Sequence, residues 1–164
     1  MKRFLGLVSL MSALAVAVLC VGTAAGSSLS SHTLTANYSG KVTEVVNGSA
    51  VTATPHGKGR STLIGRGSLT GSVTANTSNP PCTPLGGTGT LIGLRGKLKL
   101  RFLTGSRACA AGQDDQNNIA YSGTARVIGA TGAVKGARGT LRFSGHYDRG
   151  TGAFTVKLTG TLRY

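Results

Sequence analysis

Side chains that could act as acids or bases are few in this chain of 164 residues, which has four acidic residues and three histidines against 18 lysines and arginines. His146 and Tyr147 stand out, because they are consecutive in the stretch SGHYD and could bring a base and a phenol to one end of a strand. Adjacent strand residues point to opposite faces, which makes joint action on one substrate difficult. We therefore interpret them as strand-end residues that could line the mouth of a ligand site, and we assign no catalytic residue.

Glu44, the only glutamate, lies in KVTEVV beside Lys41 on a predicted strand. A charged side chain in such a setting is usually solvated, so the sequence favours a surface position over a buried general base. Neither Cys82 nor Cys109 has a partner at a zinc-ligand spacing. We expect a protein that is not an enzyme, with no metal and no cofactor.

The stretch RGKLKLRF carries a basic residue at every second position, namely Arg95, Lys97, Lys99 and Arg101. A strand places these on one face and Leu98, Leu100 and Phe102 on the other. Burial of the apolar residues, worth roughly 1.5 to 3 kcal/mol each, turns the basic face outward. We predict a stripe that binds an anionic polysaccharide or envelope polymer; an ordinary solvated face is the alternative. No aromatic residues interleave, so specific nucleic-acid binding is not expected.

Two glycine-rich segments invite a nucleotide-binding interpretation: GATGAVKG at 129–136 and GGTGTLIG at 86–93. The first lacks the Gly-Lys-Ser/Thr ending of a phosphate loop, and both are followed by strand patterns where that mechanism needs the start of a helix. We interpret both segments as turns, in which glycine permits positive φ and close chain approach.

The first residues have the pattern of a secretory signal peptide: basic Lys2 and Arg3, an apolar run over 4–21, and small residues for cleavage after Ala25. We predict a signal peptide over 1–25 and a single domain over 26–164, with no stable membrane span after cleavage. The mature chain would keep 16 basic residues against four acids, a formal charge of +12. In an oxidising compartment its two cysteines, Cys82 and Cys109, would form a disulfide. The predicted location is secreted or extracytoplasmic, with periplasm or cell surface as variants.

Apolar and polar residues alternate repeatedly along the mature chain, which predicts an all-β protein. On the C-terminal strand this alternation places Phe154, Val156, Leu158, Gly160 and Leu162 on one face. Seven to nine short strands with close turns indicate one small antiparallel barrel of about eight strands, with a β-sandwich as the alternative. Glycines within the strands suit the bending that a barrel requires. Asn47-Gly48 predicts a hairpin turn, and Pro55 predicts the end of the returning strand.

The segments GATGAVKGARGTLRFSG and TGAFTVKLTGTLRY, within residues 129–164, resemble the closing hairpins of dirigent and allene oxide cyclase β-barrels. In that family a glycine-rich turn with an aromatic residue joins two barrel strands, and Val134 stands at the aromatic position here. The family's catalytic and ligand residues have no identifiable counterpart in this chain. The resemblance therefore implies a fold and not an activity.

Two functions follow from these observations. The first is a secreted, non-enzymatic barrel whose basic surface binds anionic envelope or matrix polymers. The second, which the resemblance implies, is a barrel that binds a small apolar ligand, with dirigent-like or cyclase-like activity as a variant. A filled interior would favour the first function, and a cavity that opens near His146 and Tyr147 would favour the second.

Overall fold

The structure, a computed structural model, describes residues 29–78, 82–110 and 117–164. The predicted signal peptide lies outside these residues. All regular structure in the described part of the chain is β-strand, in nine segments: β1 (Ser31–Asn47), β2 (Ala50–Ser61), β3 (Gly65–Asn76), β4 (Cys82–Gly93), β5 (Gly96–Phe102), β6 (Arg107–Ala110), β7 (Asn118–Gly132), β8 (Arg138–Asp148) and β9 (Ala153–Arg163).

The strands close into an antiparallel barrel, as the sequence predicted, and do not form a sandwich. Sheet order is β3-β2-β1-β9-β8-β7-β5-β4-β6, and a further pairing of β3 with β4 closes the ring. Strands β5 and β6 lie end to end between β4 and β7, because both pair with each of those neighbours. Together they occupy the eighth strand position. We call the end with the β1–β2 and β8–β9 turns the upper end, and the other the lower end.

The lower half of the barrel is filled by inward-facing apolar side chains. On β9 the alternation is as predicted, because Phe154, Val156, Leu158 and Leu162 are buried. The β7–β8 turn closes this end and carries Val134 and Ala137 into the core. Its glycines at 132 and 136 have φ of 69° and 80°, a conformation that favours glycine. The segment at 129–136 is therefore the end of a strand and a turn, not a phosphate-binding loop.

Two local predictions were wrong. The segment 86–93 is not a turn, because it lies within β4, where Gly87 and Gly89 occupy inward positions between Leu85 and Leu91. Strand β2 does not end at Pro55 but runs on to Ser61. The proline lacks an N–H for the β2–β3 ladder, and that pairing is interrupted between Ala53 and His56 before it resumes in the same register.

The Cys82–Cys109 disulfide is present, as predicted, with a Cα–Cα distance of 4.0 Å. The two cysteines are direct cross-strand partners and join the start of β4 to β6. The bond therefore fixes the short β6 segment at the upper end of the barrel. In the described residues no helix is long and apolar enough to cross a membrane.

Candidate functional site

The upper half of the barrel is hollow and contains a cavity of ≈ 1190 Å³. Its wall is mostly apolar and comes from inward-facing residues of every strand position. Valines, leucines and alanines dominate, and Phe102, Phe143 and Phe154 add aromatic rings to the wall. Among the described residues the interior is thus filled in the lower half and hollow in the upper half, which is the arrangement that the ligand-binding hypothesis requires.

The cavity exists because small residues occupy inward positions that larger side chains would fill. Ala53, Ala75 and Ala108 line it, as do Gly71 and Gly89. A Cβ added to Gly89 would meet only the Thr70 carbonyl oxygen, at 3.7 Å, so this part of the wall borders empty space. With no tryptophan and few aromatic residues in the chain, the available side chains cannot fill a barrel of this width.

A polar cluster of Glu44, Tyr147 and Arg149 stands at the mouth of this apolar cavity. Arg149 Nε lies 3.7 Å from Glu44 Oε2, with 42% of the arginine side chain and 18% of the glutamate side chain exposed. Glu44 comes from the upper end of β1, Tyr147 from the end of β8 and Arg149 from the turn that follows. The mouth therefore combines a carboxylate, a phenol and a guanidinium on one side.

Burial raises the pKa of Tyr147, and the negative charge of Glu44 and the hydrogen bond to it raise that pKa further. Arg149 acts in the opposite direction. The phenol consequently stays protonated at neutral pH and donates to the carboxylate. The cluster offers a ligand one strong acceptor, at Glu44, and donors at Tyr147 and Arg149.

Of the two residues predicted at the mouth, Tyr147 lines the cavity and His146 does not. His146 is exposed on the outer wall, because neighbouring residues of β8 face opposite sides of the barrel. The prediction for Glu44 was also wrong, since it points into the mouth and not to open solvent. Alternation along β1 predicts this inward orientation. Glu44 is an even number of residues from buried Leu34 and Tyr38, so it lies on the same face of the strand.

The predicted basic stripe is divided between a strand and a turn. Lys97, Lys99 and Arg101 are exposed on β5 and alternate with buried Leu98 and Leu100. Arg95 precedes the strand, and its Nη2 donates to the Thr62 carbonyl at 2.6 Å. We use the name β5 stripe for Lys97, Lys99 and Arg101. No three histidine, cysteine, aspartate or glutamate side chains converge into a metal site within the described residues.

No protein-family model matches the chain, and no curated protein matches its sequence. Among solved structures, the fold is similar to that of a pterocarpan synthase dirigent protein, with a TM-score of 0.54 and 13% sequence identity. The match covers 96% of this chain and 99% of the other. Likeness at this identity shows a shared fold alone. The chain thus folds as a dirigent-like β-barrel, in agreement with the resemblance of residues 129–164.

Proposed function

We propose that this protein binds one small, mostly apolar molecule inside the barrel and holds a polar group of that molecule at the mouth. The observation that carries the proposal is the apolar cavity of ≈ 1190 Å³ with the polar cluster of Glu44, Tyr147 and Arg149 at its opening. Pockets for small molecules usually enclose about 300 to 1,000 Å³, with apolar walls and a few placed polar groups. The space here accommodates a ligand of that class.

The three polar residues would divide the recognition between them. Glu44 accepts a hydrogen bond from a ligand hydroxyl, and such a bond to a charged group contributes about 1.5 to 3 kcal/mol. Tyr147 and Arg149 donate to a ligand oxygen. The apolar body of the ligand lies against the deeper wall, where each buried square ångström adds about 25 cal/mol. The polar cluster at the mouth therefore determines where the ligand's polar group lies, and the apolar wall favours ligands with an apolar body.

The fold supports the same assignment. The structurally similar protein is a pterocarpan synthase dirigent protein, and a barrel interior that serves a small molecule agrees with that description. If this chain also converts its ligand, Glu44 and Tyr147 are the groups placed to move a proton at its polar end. We further infer from the signal pattern and the disulfide that the protein is exported.

Calorimetric titration with 2-naphthol and naphthalene, two ligands that differ by one hydroxyl, tests the proposal. We expect 2-naphthol to bind at least about tenfold more tightly, and Glu44→Ala to remove that preference. The matched control is Thr43→Ala, because Thr43 precedes Glu44 on the same strand but is exposed on the outer wall. Failure of both compounds to bind, or an unchanged preference in Glu44→Ala, would overturn the proposal.

A second function, attachment to anionic polymers through the β5 stripe, is favoured by one specific observation. Arg101 lies directly opposite Arg126 of β7, and both side chains are exposed. Like charges directly opposite each other destabilise a sheet. A polyanion bound along this face would neutralise that repulsion and would thereby stabilise the pairing of β5 with β7.

A further inference from the structure

A second concavity, of ≈ 730 Å³, is lined mainly by residues of the outer wall and shares only Tyr121 and Val156 with the cavity proposed for the apolar ligand. It crosses six neighbouring strand positions, from β6 through β7, β8, β9 and β1 to β2. We call it the outer groove. Strand register arranges its outward-facing side chains in two rows that run across the strands, not along them.

The first row is continuous through four pairings: Arg107, Ser122, Ser144, Lys157 and Asn37 are successive cross-strand partners. The second row lies beside it, and its successive partners are Cys109, Ala120, His146, Thr155, Ser39 and Lys58. Each row thus has a cation at one end, Arg107 in the first and Lys58 in the second, and the first row also carries Lys157.

The chemistry of the outer groove is cationic and rich in hydroxyl groups. Lys58, Lys157 and Arg107 supply positive charge, and none of the described residues that line the groove is acidic. Between these cations lie the short side chains of Ser39, Ser122, Ser144, Ala120 and Thr155, together with Asn37 and His146. Tyr38 and Tyr121 also contribute to the wall: the first is 3% exposed, and the second is half-buried with its hydroxyl donating to the Thr155 carbonyl at 2.7 Å.

We propose that the outer groove binds an acidic polysaccharide that runs across the strands. Neighbouring strands are about 4.8 Å apart, so that, measured across the strands, Lys157 is two strands or about 10 Å from Lys58 and three strands or about 14 Å from Arg107. Hydroxyl and amide groups fill the intervals between these cations. Such a pattern suits a chain in which carboxylates are separated by hydroxyl-bearing rings. Single-stranded nucleic acid fits less well, because it is normally held by exposed aromatic side chains that stack on its bases.

The groove is distinct from the β5 stripe, which lies on another part of the wall and shares no residue with it. The double variant Lys58→Ser/Lys157→Ser removes two charges from the groove, and Lys97→Ser/Lys99→Ser removes the same two charges from the stripe. Because the two variants have the same net charge, a difference in their affinities would indicate a local site and not general electrostatic attraction. A third variant, Ser144→Phe, obstructs the floor without any change in charge.

Binding of an oligouronate to the full chain is measured by calorimetry, with neutral dextran and a single-stranded oligonucleotide as comparison ligands. We expect the groove double variant to lose about tenfold in affinity, Ser144→Phe to lose affinity similarly, and the stripe variant to lose much less. Binding of 2-naphthol, where it occurs, should be unchanged in all three, so failure of this proposal is distinct from failure of the cavity proposal.

Three results would overturn the proposal. Equal losses in the groove and stripe variants would show general charge attraction only. Unchanged affinity in Ser144→Phe would show that the concavity is not the site. Tighter binding of the oligonucleotide than of the oligouronate, with the same dependence on Lys58 and Lys157, would assign the groove to nucleic acid.

Discussion

Arg149 Nε lies 3.7 Å from Glu44 Oε2 at the opening of an apolar cavity. The two residues meet because β1 continues beyond its last pairing with β9, at Lys41 and Ala153, so that its upper end faces the β8–β9 turn. Partly exposed ion pairs of this kind contribute only about 0 to 1 kcal/mol to folding. Arg149 can therefore leave Glu44 at little cost when a ligand competes for the carboxylate.

Tyr121 gives the barrel a defined response to alkaline pH. Burial raises its pKa well above the ordinary value of 10.0, so the folded protein keeps a proton that the unfolded chain loses. Stability from this group is complete below pH 10.0 and is lost as pH rises through the folded-state pKa. Above the ordinary value we expect a loss of about 1.4 kcal/mol per pH unit, measured by urea unfolding. Tyr121→Phe should flatten this slope, and an identical slope in that variant would refute the assignment.

Two inward glycines should respond in opposite ways to the same substitution. In Gly145→Ala the new Cβ would overlap the Thr155 carbonyl oxygen and the Tyr121 hydroxyl, so we expect a loss of about 1 to 3 kcal/mol or more. Gly89→Ala places its Cβ in open space. It should raise the free energy of unfolding by about 0.4 to 1 kcal/mol, because alanine lowers the conformational entropy of the unfolded chain. Chemical denaturation of both variants checks this, and equal destabilisation would mean that no cavity borders Gly89.

The disulfide should contribute substantially to stability. It links residues 27 apart in sequence, and a loop of that length corresponds to about 3.5 kcal/mol on the chain-entropy model. We expect Cys82→Ser/Cys109→Ser to lower the free energy of unfolding by this amount. The variant should also weaken binding of cavity ligands, because Thr83 and Ala108 beside the bond line the cavity. An unchanged unfolding midpoint under non-reducing conditions would contradict the prediction.

The β5 stripe has its own test. Because binding of a polyanion to basic residues releases counterions, affinity for heparin should fall steeply with salt. Lys97→Thr/Lys99→Thr should bind more weakly than the unaltered protein at low salt, with a shallower salt dependence. If the variant binds as tightly, or if salt has no effect, the stripe is an ordinary solvated face.

Local patterns predicted those parts of the structure that local physics determines. Alternation predicted the inward face of β9, the lone cysteine pair predicted the disulfide, and the glycine spacing of 129–164 predicted the closing hairpins. The orientation of Glu44 follows from the alternation along the whole of β1, which its immediate neighbours in the sequence do not reveal. Pro55 does not end β2, and the glycines of β4 do not form a turn. Both kinds of residue usually interrupt strands, but this barrel contains them within strands.

The cavity and the outer groove could not be predicted in the same way. Whether eight strands enclose a filled or a hollow interior depends on the sum of side-chain volumes at positions from every strand. The groove depends on register across six strands, which brings Arg107 and Lys157 into one row although they lie far apart in sequence. Neither quantity can be read from a single segment.

The most direct test of the central claim is the binding of N-phenyl-1-naphthylamine, a neutral fluorescent apolar probe, to a matched pair of glycine-to-leucine variants. Gly89 faces the cavity, whereas Gly86 on the same strand is exposed on the outer wall. We predict that Gly89→Leu fills part of the cavity and weakens binding by about tenfold or more, while Gly86→Leu binds as the unaltered protein does. Equal affinities in the two variants, or no saturable binding to the unaltered protein, would contradict the account.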